Sequence, residues 1–289
     1  MELTGVYTAM VTPFSGGMVD YGMLREMVEF QIASGVDGVL PMGTTGESPT
    51  LSFDEHSKVI QTVIETVNKR CIVMAGTGAN CTREAVQLTR EAKEMGADCC
   101  LQVTPYYNKP SQEGLYRHFS TVADHAGLPV VLYNVPGRAG REIAVPTIAR
   151  LSENEKIIAV KEAGGSVERV SQILDACDIT VLSGDDSLTL PMMSVGAKGI
   201  ISVASNIIPA ELKEMVDAMT AGDLAKACEL HKKYYPLFRD LFIDTNPIPI
   251  KAAMAMKEMI KEEYRLPLCE ISDSDREKLA VTLKKCGII

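Results

Sequence analysis

The stretch 157-IIAVKEAGG-165 sets four apolar residues in line and ends them on a lysine, a glutamate and two glycines. A continuous apolar run of strand length fits a parallel sheet covered on both faces, where the usual alternation is lost. Seven more runs of this kind occur: 6-VYTAMV-11, 38-GVLPM-42, 71-CIVMAG-76, 99-CCLQV-103, 129-PVVLYNV-135, 179-ITVLSG-184 and 199-GIISVAS-205. Helical patterns lie between them. In 55–67, Val59, Ile60, Val63, Ile64 and Val67 fall on one stripe. Ser52 and Glu55 precede it with the spacing of a capping box. Met23, Leu24, Met27 and Val28 make a similar face. Eight strand-like runs, each followed by a helix-like one, predict an α/β chain folded as a (β/α)8 TIM barrel. A doubly wound open sheet is the alternative, but its first strand would normally lead into a glycine-rich dinucleotide turn, and 12-TPFSGG-17 is not one. Beyond residue 221 the strand pattern stops. Segments 222–242, 248–262 and 272–286 read as helices, with 246-NPIP-249 as a rigid break. The expected division is a barrel over 1–221 and a helical appendage over 222–289.

Composition bounds the function. A net charge of -9 and a pI near 5.1 argue against a general nucleic-acid binder or a binder of anionic membranes, both of which need a basic excess. No run approaches the roughly 18 apolar residues of a membrane-spanning helix. The opening MELTGVYTAMVTPF has neither basic leader nor apolar core, so no secretory signal is expected and the cytoplasm is the expected location. The 8 cysteines form no C-x-x-C, and reduced thiols fit that compartment. The 4 histidines show no metal-binding spacing, so no metal is expected.

Polar and glycine-rich residues gather after the strands: 43-GTTGES-48, 76-GTGAN-80, 104-TPYYN-108, 133-YNVPGR-138, 161-KEAGG-165, 184-GDD-186 and 202-SVAS-205. In a barrel these C-terminal strand ends form the functional face. Lys161 shares a strand face with Ile157 and Ala159. At its ordinary pKa near 10.4, only about one lysine in 2,500 is neutral at pH 7. Burial lowers that value, and a shift of about three units costs roughly 4 kcal/mol while raising the amine fraction about a thousandfold. An imine-forming lysine requires this shift. A strand-end lysine can also snorkel to water or pair with Glu162. Tyr133 ends the preceding strand, within reach of Lys161 in a barrel, where its hydroxyl could relay a proton or simply pack. Arg138, in 136-PGRAG-140, suits a carboxylate or bulk solvent. Thr44 and Thr45, between Gly43 and Gly46, offer hydroxyls and backbone N–H groups for a carboxylate, or make only a tight turn.

Taken together, 43-GTTGE-47, 104-TPYYNKPSQEGLYRHF-119, 133-YNVPGR-138, 158-IAVKEA-163, 183-SGDD-186, 199-GIISVASN-206 and 246-NPIPIKAA-253 resemble the dihydrodipicolinate synthase family. The resemblance runs in order along essentially the whole chain. It implies the barrel with its helical appendage, and condensation of pyruvate with aspartate-4-semialdehyde to 4-hydroxy-tetrahydrodipicolinate, the committed step toward diaminopimelate and lysine. By resemblance, Lys161 forms the pyruvate imine, and Tyr133, Thr44 and Tyr107 relay protons, Tyr107 from a neighbouring subunit. Thr45 holds the pyruvate carboxylate and Arg138 that of the semialdehyde. Ile201 offers a backbone carbonyl beside the lysine, and Gly184 lines the substrate site. No cofactor is implied, because the protonated imine is itself the electron sink. A homotetramer built as a dimer of dimers is implied, as is an L-lysine effector site at Ser48, His56, Asn80, Glu84 and Tyr106.

The sequence departs from the family in two places. Gly137 and Ala139 flank Arg138 where serine and threonine are common, and Phe53 stands where a histidine is often found. Relatives that cleave N-acetylneuraminate or keto-deoxy sugar acids share the lysine and tyrosine but generally lack the arginine. Arg138 therefore favours the synthase over these aldolases, and the presence of every member of the constellation argues against a binding barrel that has lost the reaction.

Overall fold

The structure, a computed structural model, describes all residues 1–289. Its strands are β1 Gly5–Ala9, β2 Phe14–Ser15, β3 Met18–Val19, β4 Gly38–Leu40, β5 Ile72–Gly76, β6 Cys99–Val103, β7 Val130–Asn134, β8 Ile157–Glu162, β9 Thr180–Ser183 and β10 Gly199–Ser202. Eight of them close into a barrel in the order β1-β10-β9-β8-β7-β6-β5-β4. Each apolar run of the sequence carries one of these strands, and the chain is a TIM barrel rather than an open sheet.

The chain divides into two compact units, Met1–Gly5 with Ile72–Ile201, and Val6–Cys71 with Ser202–Ile289. In the first, β5 to β9 pair in parallel with their neighbours. Helices α3 Thr82–Met95, α4 Gln112–Ala126, α5 Pro136–Ala139, α6 Val145–Ser152, α7 Val167–Ala176 and α8 Thr189–Ser194 join them. Val131, Leu132, Ala159, Val160, Val181 and Leu182 are wholly buried, which accounts for strands without a polar face.

In the second unit β1 pairs with β4, and α1 Tyr21–Ala33 packs on α2 Phe53–Val67. The capping box forms: Ser52 Oγ accepts from the Glu55 N–H, and the Glu55 carboxylate accepts from the Ser52 N–H. Four C-terminal helices, α9 Pro209–Thr220, α10 Leu224–Asp240, α11 Ile248–Met256 and α12 Asp273–Cys286, pack α9 on α10 and both α10 and α11 on α12.

Two local readings need correction. The helix expected over 248–262 stops at Met256, because Glu258 takes the left-handed conformation at φ 61. The sequence reading also passed over a hairpin at 12-TPFSGG-17, where β2 and β3 pair around Gly16 and Gly17 at φ 61 and 77. Paired glycines between apolar residues are the signal for that turn. No helix is long and apolar enough to cross a membrane.

Candidate active site

Lys161 is the last residue but one of β8, in a buried position. Its side chain is only 6% exposed, and it shares a strand face with the buried Ile157 and Ala159. Burial pushes its ammonium down to about 7; Asp186 opposes that shift, and Arg138 adds to it. Strand register places Tyr133 of β7 directly opposite Lys161, with the ammonium 4.4 Å from the centre of the phenol ring. Thr104 pins the tyrosine backbone, its N–H and hydroxyl both donating to the Tyr133 carbonyl. Gly184 follows β9, and a Cβ added there would stand 3.0 Å from Lys161 Cε and 2.7 Å from Ala163 Cβ. Only glycine leaves the lysine its place.

Glu162 does not pair with Lys161. Alternation turns it to the opposite strand face, where it is wholly buried. Its carboxylate accepts from Asn134 Nδ2 at 2.9 and 3.0 Å, from the Gly164 N–H at 2.7 Å and from Arg169 Nε at 2.9 Å. The buried lysine is thus left without the neighbour that would have held it charged. Arg138 lies on the short helix α5, which begins at Pro136 and ends on Gly140 at φ 66.

In the other unit, Thr44 and Thr45 lie in the turn after β4, with Thr45 buried. Asn246 Nδ2 donates to Thr45 Oγ1 at 3.0 Å, and the Thr12 hydroxyl donates to the Gly46 carbonyl at 2.6 Å. Glu47 is left-handed at φ 56, and its N–H donates to the Thr44 carbonyl at 3.1 Å. Its carboxylate meets the Lys251 ammonium at 2.5 Å, and both side chains are wholly buried. Lys251 also lies 4.2 Å from the ring centre of Phe14.

The remaining expected residues sit in several places. Ile201 is buried in β10. Tyr107 is 91% exposed at φ 70. Asn80, Glu84 and Tyr106 come together: Asn80 Nδ2 donates to the Tyr106 carbonyl, and burial with the nearby Glu84 charge raises the Tyr106 phenol. Ser48 is half-buried at the end of the Thr44–Thr45 turn, and His56 is buried on α2.

A buried lysine with a depressed pKa at a barrel strand end, facing a tyrosine, is the geometry of imine chemistry. Residues 2–286 match the model of the Dihydrodipicolinate synthetase family. The chain belongs to that family. It is 51% identical over 287 residues to the 4-hydroxy-tetrahydrodipicolinate synthase of Geobacter metallireducens, covering 99% of each chain. The solved 4-hydroxy-tetrahydrodipicolinate synthase of Methylacidiphilum fumariolicum SolV superposes with a TM-score of 0.98 at 49% identity, over 99% of this chain and 96% of that one. The family's enzyme from Cyanidioschyzon merolae, solved with lysine bound, superposes with a TM-score of 0.96 at 39% identity, over 99% of each chain.

Within this dihydrodipicolinate synthetase fold, sequence reasoning left several site residues without a role. Asp186, after β9, supplies the charge that opposes Lys161 deprotonation. Asn246, Lys251 and Glu47 support the Thr44–Thr45 turn, a role that the motifs carrying them do not disclose. A glutamate after a glycine turn and a lysine in an apolar helix are oddities, and their opposite charges were the one available signal.

Proposed function

We propose that this chain condenses pyruvate with L-aspartate-4-semialdehyde to 4-hydroxy-tetrahydrodipicolinate. The observation that carries the reading is Lys161, desolvated, poised near neutrality and set against Tyr133. The neutral amine attacks the keto carbon of pyruvate, and loss of one water gives a protonated imine. Removal of a proton from the methyl carbon gives an enamine, whose carbon attacks the aldehyde. The amino group of the semialdehyde then adds to the imine carbon, closing the ring and releasing Lys161.

In this reading Thr45, held by Asn246, binds the pyruvate carboxylate with the N–H groups of its turn. Tyr133, Thr44 and Tyr107 relay protons, Arg138 receives the semialdehyde carboxylate, and Gly184 and the Ile201 carbonyl border the imine. Tyr107, 91% exposed, is read as reaching into the site of a neighbouring subunit in an oligomer, taken here as a homotetramer. The barrel of residues 1–221 carries the chemistry, and residues 222–289 supply the packing that supports the Thr44–Thr45 turn. Asn80, Glu84 and Tyr106, with Ser48 and His56, form an L-lysine effector site. The lysine-bound relative supports that assignment.

Borohydride reduction in the presence of pyruvate should leave an adduct on the Lys161 peptide, and pyruvate consumption should depend on the semialdehyde. Pyruvate release from N-acetylneuraminate or a keto-deoxy sugar acid, without semialdehyde-dependent turnover, would instead assign an aldolase. Calorimetric titration with L-lysine should show binding, and Glu84→Ala should abolish it.

A further inference from the structure

The buried network behind Lys161 also reaches the loop that carries Arg138. Glu162 follows the lysine on β8, and Asn134 follows Tyr133 on β7, in register with it. Asn134 is wholly buried, and its two ends face different ways. Its amide N–H groups donate to Glu162, and its Oδ1 accepts from the Ile143 N–H at 3.0 Å, beyond the Arg138 loop. Arg169, on α7 and 8% exposed, completes the clamp. Nε donates to Glu162, Nη1 to the Glu142 carboxylate at 2.8 Å and Nη2 to the Ile143 carbonyl. One guanidinium thus ties the strand end that carries the imine lysine to the segment that closes residues 135–143.

A buried Arg–Glu pair is a costly way to gain stability, because desolvation offsets most of the attraction. Its planar fork, however, fixes geometry that an apolar contact would leave free. We propose that Arg169, acting through Glu162, Asn134 and the 142–143 backbone, is a positioning residue for Arg138 and so for recognition of the second substrate's carboxylate. The inference rests on the reading of Arg138 given above. The Arg138 side chain starts on one short turn of helix, and its position follows from where that turn is anchored at each end. The Asn134 end is fixed by β7, and the Glu142–Ile143 end by Arg169. Displacing a carboxylate-binding group by about an ångström costs catalysis up to about a hundredfold.

The experiment compares Arg169→Lys, Glu142→Gln and Arg138→Ala in semialdehyde kinetics and in single-turnover imine formation with pyruvate. Arg169→Lys keeps a cation beside Glu162 and removes the fork. Its KM for the semialdehyde should rise about tenfold, while imine formation stays within about twofold of the parent. Glu142→Gln, at a half-exposed position, should fold normally and shift the same KM in the same direction by less. In the double variant Arg138→Ala/Arg169→Lys, the second change should add nothing to the effect of the first, which a merely structural role would not produce. Additive effects, an unchanged semialdehyde KM in folded Arg169→Lys and Glu142→Gln, or equal loss of imine formation would overturn the positioning role. An unchanged semialdehyde KM in Arg138→Ala would instead overturn the reading of Arg138, and this inference with it.

Discussion

Tyr133 and Lys161 stand opposite each other on adjacent parallel strands, with the lysine ammonium 4.4 Å from the centre of the tyrosine ring. The ring covers the amine with an apolar face, and the cation–π attraction it offers is far weaker than the hydration it replaces. The amine is therefore half neutral near pH 7, where an exposed lysine would be almost wholly charged.

The rate of imine formation with pyruvate should rise with pH through about 7 and level off above it, following the amine form of Lys161. The same shift has a stability consequence. Because the folded pKa lies below the unfolded one, the unfolded chain binds the extra proton between about 7 and 10.5, and stability contributed at this site rises with pH across that window. Below it the full cost of a buried charge applies. Lys161→Met should therefore stabilise the fold by a few kcal/mol at pH 6.5 and by much less at pH 9.5, measured by thermal unfolding at both values.

Gly184→Ala should disable the lysine without removing it. The added methyl meets Ala163 Cβ at 2.7 Å and Lys161 Cε at 3.0 Å, so side chain and strand must both yield. Trapping of the pyruvate imine should slow by about tenfold or more, with a stability loss of about 1–3 kcal/mol in urea unfolding. An unchanged trapping rate would show that the lysine does not depend on that space.

Lys251→Met should destabilise the chain by about 3–5 kcal/mol, because it strands the Glu47 carboxylate in a position closed to water. Adding Glu47→Gln should restore part of that loss by removing the orphaned charge. The measurement is urea unfolding of the two variants side by side. Weaker pyruvate binding in both would follow from loosening of the Thr44–Thr45 turn.

Tyr107 is 91% exposed in a single chain, and in the proposed mechanism it acts in the site of another subunit. Tyr107→Phe and Lys161→Ala should each be nearly inactive alone. After dissociation and reassembly of a mixture, activity should reappear, because some sites combine Lys161 of one chain with Tyr107 of another. Mixtures that stay inactive would place the tyrosine outside the reaction.

The eight strands and the polar residues at their ends were legible because each is a local property. An apolar run buried on both faces marks a parallel strand wherever its partners lie, and alternation alone sets Lys161 apart from Glu162. The capping box at Ser52 and Glu55 is local in the same way. The end of α11 at Met256 was missed because a non-glycine residue, Glu258, supplies the left-handed turn.

By itself the sequence determined the barrel, the polar residues gathered at its strand ends and the lysine proposed as nucleophile. The tertiary structure alone decided that Tyr133 falls in register with Lys161, that Gly184 leaves the lysine room, and that Asp186 is its countercharge. It also decided that Glu47 closes on Lys251, two hundred and four positions away. Periodicity is written into neighbouring residues by the geometry of one strand or helix. The electrostatics of an amine depend on which distant groups packing brings within a few ångströms and how much water it removes.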